Sequence, residues 1–140
     1  MNVVVDCERL EVSTNNQVTG VICLELNSYF FPERQWSDFP VVILSWWARE
    51  ILRMLEGEVH VKGNFMDGPF SFSIEQNQNE TIITFLSGST VVYTSKLDLV
   101  AFIGSLTNAI QAVLDELGPR LNSPDLVSLK TQYRRLREMQ

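Results

Sequence analysis

The side chains able to do chemistry are few and scattered. His60 is the single histidine, and its place between Val59 and Val61, three residues before Gly63, puts it mid-strand beside Lys62 on a polar face. An ordinary exposed imidazole is the expectation there. A nucleophilic serine needs a sharp turn that presents its hydroxyl to a base, and no GxSxG elbow occurs. Cys7 and Cys23 are isolated from each other in sequence and form no CxxC, so no zinc site is expected. The seven glycines form neither GxGxxG nor a GxxxxGK loop followed by Ser or Thr, which removes the usual phosphate cradles. No catalytic residue, metal ligand or cofactor is nominated, and an enzyme is the less expected outcome.

Asp67 stands at a loop tip in Phe65-Met66-Asp67-Gly68-Pro69-Phe70, where contact residues concentrate. Its expected role is to form the turn. The competing role is a contact or metal-binding carboxylate, for which no second ligand can be placed.

Recognition is better represented than reaction. Residues 29–57 hold all three tryptophans and run from an aromatic loop straight into a helix. Tyr29, Phe30, Phe31 and Trp36 cannot bury one another within one loop, so they pack under a sheet, line a groove or meet a partner. On a helical period Ile43, Leu44, Trp47, Ile51, Met54 and Leu55 share a core face, while Trp46 falls beside Arg49, Glu50 and Arg53. Trp with Arg is the composition of interface hot spots. The plainer reading is that these rings cap the core, with an arginine stacked on Trp46. The candidate binding residues are Trp36, Trp46, Arg49, Arg53 and Asp67.

The elements that position them belong to one domain spanning 1–140, long enough for a real core at 45% apolar content. A net charge of −6 and a pI near 4.7 argue against nucleic acid as partner. They suit a basic protein partner better. No apolar run approaches the roughly 20 residues that cross a bilayer, and the N-terminus lacks the pattern of a signal peptide. The expected location is the cytoplasm, with no membrane partner.

Residues 3–12 and 18–26 read as a hairpin about Asn15, which would set Cys7 opposite Cys23 as two buried reduced thiols or, alternatively, a disulfide. Ser37 or Asp38 is the expected N-cap of a helix over 38–56, with Pro40 in its first turn and Gly57 at its end. Residues 58–66 alternate, with Val59, Val61 and Phe65 inward. The loop Met66–Pro69 would pair Phe65 with Phe70, and so Gly63 with Phe72 and Val61 with Ile74. A further hairpin sets Leu86 opposite Val91, with Tyr93 on the Leu86 face, and its two partly apolar faces suggest a central place in the sheet, or a second face covered by a helix or another subunit. Ser95 and Asp98 resemble a capping box before a core helix over 96–117. Ser123-Pro124-Asp125 opens a last helix whose outer side is basic: Lys130, Arg134, Arg135 and Arg137.

The sequence F-P-x-x-x-W-x-D-F from Phe31 to Phe39, the Trp46-Trp47 pair and Phe65–Phe70 together resemble a group of small bacterial proteins. Some proteins of that size and make-up are similar to immunity proteins of polymorphic toxin systems. The resemblance covers about residues 29–75, implies binding rather than catalysis, and carries over no active-site residue.

The expected fold is α+β: an antiparallel sheet of about six strands in the order ββαββββαα, two helices mainly on one face, and the C-terminal helix at an edge or a dimer interface. The expected function is a non-enzymatic protein-binding domain, with a basic toxin or a second copy as partner. The alternatives are a small-ligand binder or carboxylate enzyme with a pocket between sheet and first helix, and a homodimeric structural protein.

Overall fold

Alternating Val, Ile and Leu build the first half of the molecule around one long strand. The computed structural model describes residues 1–140. Strand β3 (Val18–Leu26) pairs antiparallel with β1 (Asn2–Val5), β2 (Glu11–Val12), β4 (Tyr29–Phe31) and β5 (Ser37–Asp38). Glu11 faces Thr19 and Val12 faces Val18, the register of a hairpin centred on Asn15. A 3-10 turn over Cys7–Arg9 then interrupts the strand, and Val4 rather than Cys7 stands opposite Cys23. The expected cysteine pairing is thereby undone, and both thiols are free. Leu10, just past the turn, is buried over Gly20, where a Cβ would come within 2.8 Å of its Cδ2.

The second sheet runs β6 (His60–Asn64), β7 (Phe70–Asn77), β8 (Glu80–Ser87) and β9 (Thr90–Lys96) in spatial order. Gly63 faces Phe72 and Val61 faces Ile74, and the Phe65 N–H donates to the Phe70 carbonyl at 3.1 Å across the loop. Val59 lies outside the strand and is 61% exposed; its carbonyl accepts from the Gln76 N–H. Leu86 faces Val91, but a bulge then sets Phe85 opposite Tyr93. Tyr93 thus shares the Phe85 side and stacks on Tyr29 with ring centroids 4.6 Å apart. Strand β9 is an edge rather than central, with Val91 57% exposed.

The fold is α+β with antiparallel sheets, and its strands are divided between two sheets instead of one. Aromatic rings join them: Phe31 of β4 stacks on Phe85 of β8 at 4.4 Å and meets Phe65 and Phe70 edge-on. Such contacts add about 0.5–1.5 kcal/mol per pair beyond the area they bury.

Helix α1 (Pro40–Leu55) packs against β3 and β6, α2 (Leu99–Leu117) against β1. Helix α3 (Pro124–Met139) lies on α1 and α2, burying Leu126, Leu129 and Leu136. It therefore lies in the helical layer and not at a sheet edge. A single core cluster of 32 buried residues unites both sheets and all three helices. Asp98 alone caps α2, accepting from the Ala101 N–H at 3.1 Å, whereas Ser95 remains in β9. Ser123 caps α3 through the Leu126 N–H at 3.2 Å. Ser105 of α2 accepts the Val3 N–H at 2.8 Å and ties β1 to the helix.

Candidate functional site

Asp38 organises the region between β5 and α1. Pairing of Gly20 with Asp38 and Val21 with Ser37 holds β5 on β3, which leaves Asp38 1% exposed one residue ahead of the N-cap. That cap is Phe39 and makes no side-chain bond. The Asp38 carboxylate is engaged elsewhere. It accepts the indole N–H of Trp36 at 2.9 Å and the backbone N–H of Phe39 at 2.9 Å. Both of its oxygens also receive the backbone N–H of Asp67, at 3.1 and 3.3 Å.

This hub brings Trp36 and Asp67 together. Trp36 packs edge-on to Phe70 at 5.2 Å, so the aromatic loop and the Met66–Pro69 loop close on the same carboxylate. A buried charge needs such donors to offset its lost hydration. Asp67 contributes its backbone, and its own side chain lies on the surface. No three His, Cys, Asp or Glu side chains converge as a metal site.

Trp46, Arg49 and Arg53 divide. Trp46 is half-buried and, with Arg49, Glu50, Lys62 and Asn64, lines a shallow depression of about 270 Å³. Arg53 turns away: its Nη1 reaches both Glu50 oxygens at 2.9–3.0 Å, and Glu58 lies 3.9 Å from Nη2. The Glu50 hydrogen bond and charge raise its pKa further. Arg49 and Lys62 take part in no ion pair. The anticipated arginine stack on Trp46 is absent; the cation–π contacts are Arg34 over Phe30 and Arg137 over Tyr133.

Trp47 is wholly buried, edge-on to Phe65 and Phe72, with its indole N–H on the Asn64 carbonyl at 2.9 Å. Ile43 and Ile51 of the same helix are buried with it in the core. His60 is exposed, 3.8 Å from Glu75. Burial raises the pKa of both thiols. Glu116 and Asp6 add to the rise at Cys7, while the N–H groups of Gln35 and Trp36 and the Arg34 charge oppose it at Cys23.

Sequence reasoning took Asp38 for a cap and missed the hub. An Asp ahead of a helix is ordinarily a cap, and nothing local marks Asp67, 29 residues away, as its partner. The class defined by this geometry is an α+β domain with an aromatic-lined loop pair locked on a buried carboxylate. No protein-family model, curated protein or solved structure matches the chain.

Proposed function

We propose that this chain is a non-enzymatic domain that binds another protein in the cytoplasm, and that the partner is a toxin it neutralises. The observation that carries the reading is Trp46: a half-buried indole on the outer edge of α1, beside two cations, Arg49 and Lys62, that no carboxylate of the chain engages. Half-exposed Trp beside Arg is the composition that dominates binding energy at interfaces. The net charge of −6 favours encounter with a basic protein. At the contact itself, Arg49 and Lys62 suit a carboxylate of that partner next to the Trp46 ring. The sequence resemblance of residues 29–75 to small bacterial proteins, some of that make-up similar to immunity proteins, supports the same reading.

The test is co-expression with the product of the neighbouring gene, followed by affinity capture. A stoichiometric complex is expected, weakened roughly thirtyfold or more by Trp46→Ala, as for a hot-spot residue. Recovery of no stoichiometric partner, from co-expression or from the native source, would count decisively against the proposal. A second copy of the chain is the other partner to test, and light scattering separates it.

A further inference from the structure

The first sheet has a face that its helices do not cover. Along β3, Ile22 and Leu24 enter the core, so the alternation of a strand turns Val21 and Cys23 the other way. There the loop after β4 folds over and sets Arg34 and Gln35 beside Cys23. Gln35 adopts a left-handed φ of 62° in this loop, a conformation that costs a non-glycine residue energy. What remains open is a groove of about 520 Å³.

Its floor is apolar: Val4, Val21, Cys23 and Phe30. Its rim carries Arg34 and Arg9, with Asp6 the one carboxylate against two guanidiniums. Arg9 lies 3.6 Å from Asp6 in a solvent-exposed pair, which such exposure makes weak. Arg34 has no carboxylate partner. It is held over the Phe30 ring, 4.2 Å from the centroid, so its fork is already placed before a ligand arrives. This is an apolar-floored cleft of ligand size with two guanidiniums on its rim; such sites span about 300–1,000 Å³.

We propose that this groove binds a small organic carboxylate with an apolar body. The head group sits against Arg34 with Arg9 beside it, since guanidinium and carboxylate pair through two parallel hydrogen bonds. The body lies on Val4, Val21 and Phe30. The site is on the sheet remote from the Trp46 surface and does not depend on a protein partner.

Titration of the full chain with octanoate and with 2-naphthoate, by calorimetry, tests it. At least one probe is expected to bind saturably at 1:1, and octylamine, with the opposite head, is expected not to bind. Arg34→Gln should weaken the carboxylate about tenfold, the scale of one charged hydrogen bond. Arg34→Lys, which keeps the charge and loses the fork, should fall between. Lys130→Gln, on α3, should leave affinity unchanged. Position 34 is exposed, and circular dichroism checks that each variant is folded. Failure of both carboxylates to bind, equal binding of octylamine, or undiminished affinity in Arg34→Gln would overturn the proposal.

Discussion

The indole N–H of Trp36 donates to the carboxylate of Asp38 at 2.9 Å, and that carboxylate is 1% exposed. A ring read as a candidate contact residue is therefore also a structural donor, with the Asp67 backbone as the distant donor to the same acceptor.

Replacing the acceptor strands its donors. Asp38→Ala is expected to cost about 3 kcal/mol, because charged hydrogen bonds are lost and buried N–H groups are left unpaired; Asp38→Asn, which keeps one acceptor oxygen, should cost about half. Urea unfolding checks both. An unchanged midpoint in Asp38→Ala would show the hub to be dispensable.

The adjacent tryptophans should behave oppositely. Trp47 is fully buried against Phe65 and Phe72, so Trp47→Ala should destabilise by about 3–5 kcal/mol. Trp46 is half-buried on the surface, and Trp46→Ala should cost about 1 kcal/mol or less in the isolated chain. Light scattering on Trp46→Glu should give the wild-type mass. A lower mass than wild type would instead make Trp46 an anchor between two copies.

Gly63 is required by its neighbour across the strand. A Cβ there would stand 2.2 Å from Phe72 Cζ. Gly63→Ala is expected to lose about 1–3 kcal/mol by overpacking. Phe72→Leu in the same chain should recover part of the Gly63→Ala cost in a double-mutant cycle. Additive losses would mean that the ring moves aside freely.

The thiols give a pH dependence whose sign follows from burial. Both folded-state pKa values are raised, by burial above all. The unfolded thiols ionise first, near about pH 8.5. Their contribution to stability is thus complete below that pH and is lost as pH rises toward and through the folded values. Urea midpoints at acid-neutral and alkaline pH should fall less with pH in a Cys7→Ser, Cys23→Ala chain than in wild type. Thiol titration of the unfolded, unreduced protein should count two free groups.

The sequence was most informative where interacting residues are near in chain or repeat with a period. The hairpin around Asp67-Gly68 could be registered from its loop length, which brought Gly63 under Phe72. The core stripe of α1 was readable because a helix returns a side chain to the same face every turn, and Trp46 separated from Trp47 on that basis alone. Arg53 pairs with Glu50, three residues back, a neighbour that helical spacing puts on the same face.

By itself, then, the sequence determined the class of the fold, most of its helices and the β6–β7 register, since these follow from local periodicity, turn chemistry and caps. Tertiary structure alone decided that the strands form two sheets, that the turn at Cys7–Arg9 separates the cysteines, and that Asp38 joins Trp36 to Asp67. The physical reason is common to all three. Periodicity reports which side of an element is apolar, but which element covers that side, and which distant N–H groups satisfy a buried carboxylate, depends on packing between residues that no local spacing relates.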